Sequence, residues 1–523
     1  MRMRLFIVLA VSLWCGMADA ATYYVRPIAG SYGAENGTSY ATAFKGFADV
    51  SGLAAGDTLY ICGAHTEKFT TPISGTSVAQ MVADGACPGD PGSITIGSGA
   101  NAAIAQVFGQ GESYWTFQNL TLSGGTTAAV YCNGNDPNCI GNIYQDLTIA
   151  CTQAGQTKSG IRLRSAQSST VRRVTMTGND GACGFGILVD TTETGDSALT
   201  GNLVTGNTIS GFGNPGIRFA GVSIASPLPG PNTVTYNDVS DSGDGIYHVN
   251  ANSITTSYNT LHGNARTNYA GEGYGAASTW CDLGVWEGNE IYENRWKGIE
   301  IYTDSDRAAL TGVTIQGNYI HENNTAGDTF RCAIDLNNGS PDVGGVLLTN
   351  GLVRANVTVG STCGVNIGKN ITAAVVHNTL INPTAESAIF LESGSSNVTV
   401  VNNLLVPGSA TYGLWQSISA GSNNTIRNNF FDTATTANLA RVESTNYTSG
   451  TITTVDAQAV MGAAGVASAT DYRLSLTSPA RAAGRSTGIC LDYRGRVCPS
   501  TRPHIGAYQS SSGDPAATRA VRN

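Results

Sequence analysis

Short apolar segments recur along the chain in strict alternation. GIRF (216–219), GIYHV (245–249), GIEIY (298–302), AIDLN (333–337), GVNIG (364–368) and AIFLE (388–392) each run small, apolar, variable, apolar. A period of two buries every second side chain and turns the others outward, so each segment predicts a short half-buried strand. A second motif accompanies them, an Asn two residues before an apolar residue: Asn207, Asn237, Asn259, Asn289, Asn318, Asn356, Asn378, Asn403 and Asn429. Successive copies are 22 to 38 residues apart, and repeats of that period mean a solenoid. A constant motif at variable spacing implies fixed strands and turns joined by loops of variable length. Leucine-rich repeats would carry denser Leu at a shorter period, and propeller blades need about 40 residues or more.

A parallel β-helix accounts for the recurring Asn. Amides stacked at one turn of successive coils hydrogen-bond along the stack and satisfy polar groups that are costly to bury unpaired. On these strands and turns the chain resembles the right-handed parallel β-helix superfamily, the pectate-lyase-like fold. TYYVRP with GDTLYICGAH resembles the opening of its secreted members, and DYRLSLTSPARAAG with HIGAY their closing segment. The resemblance implies an all-β, single-stranded right-handed solenoid with coils over 109–435. Residues 21–108 are expected to form an N-terminal cap and first coils, 436–508 a C-terminal closing segment, and 509–523 a disordered polar tail. The fold hosts lyases, hydrolases, epimerases and adhesive proteins, so it does not choose a reaction.

Composition narrows the class. With 28 Lys and Arg against 37 Asp and Glu, the chain is a poor nucleic-acid binder. Residues 1–20 combine Arg2 and Arg4, an apolar run and a small-residue end at Ala18 and Ala20, the three parts of a secretory signal. The expectation is a secreted, monomeric protein without a membrane anchor. Export makes disulfides reasonable among the remaining Cys, with Cys132–Cys139 and Cys490–Cys498 close enough to close short loops. Cys332 precedes AID and Cys363 precedes GVN on adjacent coils, which pairs them, with Cys281 as the competing partner for Cys332.

Charge is scarce, only 12% of residues, yet RWKGIEIYTDSDR (295–307) holds six charged side chains. Aligning the strand segments places Arg218, Tyr247, Glu300, Asp335 and Asn366 in one outward column. The intervening AGEGYGAA contributes either Glu272 or Gly275, with Glu272 preferred. Glu300 and Asp335 then sit on adjacent coils about 4.8 Å apart. Like charges that close raise one another's proton affinity and divide into an acid and a base or nucleophile, as a glycosidase requires. These two are the candidate catalytic pair. Tyr302 and Asn337 lie two residues further along the same face, Asp304 and Asp306 in the loop beyond, and Arg295, Lys297, Arg307 and Arg331 beside the acids. Trp280 and Trp296 sit at turn-like positions and offer flat apolar faces for sugar rings. Trp286 is divided between core and platform, and His248 alternates inward as a core or turn residue. Arg218 lies far enough along the column to be a substrate clamp or a surface residue.

These residues predict a glycoside hydrolase acting on a polysaccharide lying along the solenoid, with no cofactor required. A polysaccharide lyase is the alternative, in which the acids hold Ca²⁺ and Lys297, Arg295 or Arg331 removes the proton beside a uronate carboxylate. A non-catalytic glycan-binding or adhesive β-helix is the third reading.

Overall fold

The computed structural model describes residues 20–508 apart from 98–100, 108–112, 134–138, 153–154, 181, 192–199, 224–226, 228–229, 266–271, 305–308, 329–330, 340–346, 409–411, 418–422, 434–437, 465, 469–470, 476, 488–491, 494–495 and 498–501. The signal segment up to residue 19, the tail after 508, Asp306, Arg307 and the Cys490–Cys498 pairing lie outside the described residues.

Each coil contributes one strand to each of three long sheets, of 17, 15 and 15 strands. One coil runs Val285–Glu287, Glu290–Tyr292, Ile299–Thr303. The next repeats it with Thr314–Gln316, Tyr319–His321 and Cys332–Asn338, each strand parallel to its predecessor. This is the right-handed parallel β-helix that the alternating segments predict. Trp286 pairs with Ile315, Ile291 with Ile320 and Ile299 with Ile334, so inward side chains stack on their counterparts one coil away. One core runs from Val25 to Ile452 inside the coil. His248 belongs to it: its Nε2 lies 2.9 Å from Thr256 Oγ1, and burial pushes its pKa down to about 3. Trp286 is core as well, fully buried against the His248 ring.

The turn between the first and second sheets explains the Asn motif. Its first residue takes a positive φ, at Gly206, Gly288 and Gly317 without cost but also at Tyr236, Tyr258, Ala355 and His377. The Asn that follows accepts at Oδ1 from the backbone N and the side-chain Nδ2 of its predecessor, at 3.0 Å each from Asn259 to Asn289. The same pattern links Asn207 through Asn429 without a break and ends on the Asp456 carboxylate. Every Asn singled out by the repeat is in this ladder. A shorter one, Ser242–Asn264–Asn294–Asn323, follows the second sheet.

Among the described residues four disulfides join Cys62–Cys87, Cys132–Cys139, Cys151–Cys183 and Cys332–Cys363. Cys281 is a buried thiol outside them. Residues near Leu439, Ala440 and Ile452 cover the end of the core. The segment beyond turns back along the outside of the second sheet, where Ala464, Leu474, Ala480, Ile505 and Ala507 pack on Val357, Ile381, Leu404 and Phe430. Among the described residues no helix is long and apolar enough to cross a membrane.

Candidate functional site

The outward column of the third sheet reads Arg162, Leu188, Arg218, Tyr247, Ala277, Glu300, Asp335, Asn366, Phe390 and Trp415. Glu300 faces Asp335, and Tyr302 faces Asn337 two residues on, as the alternation requires. Ala277 takes the intervening position, which corrects the expectation of Glu272 or Gly275 there. The longer entry into that coil places Glu272 before the strand, and its exposed side chain lies outside the column.

The polar centre is built around Lys297. Its Nζ lies 2.5 Å from Glu300 Oε1 and 2.6 Å from Asp335 Oδ2, and none of the three residues is more than 5% exposed. Asn337 Nδ2 donates to the same Glu300 oxygen at 2.9 Å. Burial alone would lower the Lys297 pKa, but the Asp335 and Glu300 charges outweigh it and hold the ammonium above its ordinary range. Burial would likewise raise Glu300. The Lys297 charge and hydrogen bonds from Lys297 and Asn337 reverse that and hold its carboxyl below the usual range. The expectation that mutual repulsion divides Glu300 and Asp335 into an acid and a base is therefore corrected: they share an ammonium, and Glu300 stays ionised. A Ca²⁺ ion between them would have to displace Lys297.

Two residues missed as site members complete the centre. Asn366 Nδ2 donates to Asp335 Oδ1 at 2.9 Å and to Glu392 Oε1 at 2.8 Å. Burial pushes the Glu392 carboxyl above its ordinary range, against the Asn366 hydrogen bond, and the Asp335 charge pushes it the same way. Both oxygens hydrogen-bond to one nitrogen, so the two carboxylates are close neighbours. Glu392 closes the AIFLE segment, and its place two residues after the outward Phe390 was the available signal.

Tyr274 stands over the other side. Its hydroxyl donates to the Glu272 carboxylate, and its ring centroid is 5.9 Å from Lys297 Nζ. Burial, then the Glu300 charge, keep the phenol protonated far above its ordinary range. The loop carrying Tyr274 is pinned by buried Asp244, whose Oδ1 accepts the backbone N–H of Glu272, Gly273 and Tyr274 at 3.0, 2.9 and 3.0 Å. Burial nonetheless pushes the Asp244 pKa up to about 6.

The aromatic walls are half-buried. Trp296 packs edge-on to Tyr274 at 5.9 Å and carries the Arg331 guanidinium 4.1 Å above its ring. Arg331 also lies 3.9 Å from Asp328, and of the basic residues beside the acids it is Lys297 that pairs with Glu300. Trp280 Nε1 donates to Asp304 at 2.9 Å, with Tyr302 in edge contact 6.5 Å away. Arg218 and Tyr247 adjoin one another, the guanidinium carbon 5.7 Å from the ring, with Arg218 three strands from Glu300. The Cys332–Cys363 bond clamps the start of the Asp335 strand to the Asn366 strand.

Residues 105–282, 185–363 and 281–431 match the family model described as the right-handed β-helix region. No curated protein sequence matches the chain. Similar solved structures include a complex of XylC with xylose, at 10% identity and TM-score 0.46 over 93% of this chain and 98% of that one. The alginate lyase AlyF-OU02 with G6 aligns at 14% identity and TM-score 0.46, covering 79% and 92%. The lacto-N-biosidase of Eubacterium ramulus aligns at 12% identity and TM-score 0.33, covering 85% and 68%.

Proposed function

The chain belongs to the right-handed β-helix family, and on that scaffold we propose that it is a secreted glycoside hydrolase whose working carboxylates are Asp335 and Glu392. The observation that carries the reading is the Asn366 amide bridging them. One carboxylate is paired with an ammonium and the other is pushed up by burial, which is how a site assigns a base and an acid. Two carboxylates held on one amide nitrogen suit retention of configuration, where the carboxyl groups stand roughly 5–5.5 Å apart, better than inversion, which leaves roughly 6.5–9.5 Å for a water.

Protonated Glu392 gives its proton to the glycosidic oxygen as the bond to the anomeric carbon breaks. Asp335 attacks that carbon and forms a glycosyl ester. Water then cleaves the ester, surrendering its proton to Glu392 and restoring both carboxyl groups. Glu300 moves from the catalytic pair to a positioning role: with Asn337 it holds Lys297 against Asp335. Trp280, Trp296, Tyr302 and Tyr247 supply flat surfaces for sugar rings along the sheet, with Arg218 and Arg331 as polar contacts. Four disulfides accord with an oxidising, extracellular setting.

Hydrolysis ranks above β-elimination because Lys297, held between two carboxylates, keeps its proton and is a poor base. The test follows reducing ends and the ultraviolet absorbance of unsaturated sugars together, on neutral and uronate polysaccharides, with calcium and with chelator. New reducing ends without absorbance support hydrolysis. Both signals rising together would establish a lyase, and binding without either would establish a glycan-binding protein.

A further inference from the structure

A second concentration of charge lies away from the third sheet. Where residues 482–487 fold back onto the solenoid, they bound a cleft of about 640 Å³ lined by Arg427, Arg485 and Arg502 with Ser486 and Thr487. No described carboxylate lines it, and none of the described ion pairs involves these three arginines.

The backbone beneath them is fixed. Asn402, at the positive-φ turn position of its coil, accepts from Arg485 N at 3.0 Å and donates to Arg485 O at 2.7 Å. Asn428, its counterpart one coil on, donates to Ala483 O at 3.0 Å. Gly484 N bonds to Pro503 O at 2.8 Å, and Thr487 Oγ1 lies 3.3 Å from His377 Nε2. These bonds hold the backbone of this wall of the cleft in place, so little main-chain ordering is left to do on binding.

Three arginines line this one cleft in a chain that carries 28 basic against 37 acidic residues. Their mutual repulsion is relieved when an anion enters, and the planar guanidinium fork matches a carboxylate or sulfate with two parallel hydrogen bonds. The volume falls in the range of small-molecule sites, roughly 300–1,000 Å³. The net charge of −9 works against an extended polyanion such as nucleic acid, whose many phosphates feel the long-range field. We propose that this cleft is a binding site for the carboxylate or sulfate groups of a short acidic oligosaccharide, separate from Asp335 and Glu392.

Calorimetric titration of the purified full chain reads binding without reference to catalysis. The probes are trigalacturonate, a sulfated chondroitin disaccharide and, as the uncharged control, maltotriose. At least one acidic probe is expected to bind, more weakly as salt rises, with maltotriose inert. Arg427→Ala with Arg485→Ala should weaken that binding at least about tenfold, whereas Trp280→Ala, which strips a sugar platform from the third sheet, should leave it unchanged. Arg427 and Arg485 are exposed, and Arg427→Ala alone serves if the double variant melts early. Preference for uronate or sulfate identifies the oxyanion, and either supports the site. Binding of neither acidic probe, equal binding by the arginine variants, or loss in Trp280→Ala would overturn it.

Discussion

Replacing Lys297 with Met tests the electrostatic logic of the centre most directly. Lys297 is the shared counter-charge of two carboxylates, at 2.5 and 2.6 Å, and all three groups are buried. Removing one partner from such an arrangement leaves uncompensated buried charge and costs about 3–5 kcal/mol. In the native protein the Glu300 pKa lies below its unfolded value of about 4.3, so its contribution is present above that pH and is lost as pH falls through the folded value. The Lys297 pKa lies above its unfolded value of about 10.4, so its contribution is present below that pH and is lost as pH rises through the folded value. From about pH 5 to 9 the cluster therefore contributes a constant amount. In Lys297→Met the two carboxylates face one another without a cation, and burial with mutual repulsion raises their affinity for protons. The variant should lose stability as pH rises above about 4, by up to about 1.4 kcal/mol per pH unit for each group that titrates. Urea unfolding followed by tryptophan fluorescence at pH 5 and pH 8 measures the effect. The gap between the two proteins is expected to widen toward pH 8. A gap below about 0.5 kcal/mol at pH 8, or one equal at both pH values, would refute the shared-ammonium account.

Glu392→Gln should lower kcat by about 10²–10⁴-fold and remove the alkaline limb of the pH–rate profile while leaving substrate binding in place; unchanged kcat would remove Glu392 from the mechanism. Glu300→Gln keeps shape but weakens the hold on Lys297, so it should shift the pH profile and lower kcat less than Asp335→Asn; equal losses would restore Glu300 as a catalytic group. Asn289→Ala strips the acceptor from both Asn259 N and Asn259 Nδ2, at a cost of about 2–4 kcal/mol in the unfolding free energy read by urea titration; a smaller cost than an exposed Asn→Ala would deny the ladder its role. Replacing Cys332 and Cys363 with Ser should destabilise by about 2–5 kcal/mol, with a larger loss in kcat than in substrate affinity if the bond also fixes Asp335 against Asn366.

The sequence made the architecture legible because two independent periodicities agree: outward positions repeat every second residue, and Asn recurs once per coil. Both are local rules, and the pairing of Glu300 with Asp335 follows from them without knowledge of the loops. The register failed at one coil because AGEGYGAA contains several small residues and no branched apolar residue to mark the inward face, so Ala276 and Ala277 were indistinguishable from their neighbours. The chemistry failed for a different reason. Whether Lys297 points into the column or into solvent depends on the path of a turn, and the Gly298 that follows it gives no hint of that path. Glu392 was overlooked because attention to clustered charge misses an isolated acid two coils away, which one Asn amide brings to the centre.

The Asn ladder has a consequence for how the chain finds its fold. Each rung offers the same amide to the next, so the ladder fixes where within a coil a strand must sit but is indifferent to which coil sits above it. A strand that skipped one neighbour during folding would still meet an Asn and lose nothing at that rung. Coil identity must therefore be written in contacts that occur once: the His248–Trp286 packing, the Asp244 carboxylate under its loop, the Cys332–Cys363 bond. These unrepeated contacts act as page numbers in a book whose pages otherwise share one binding.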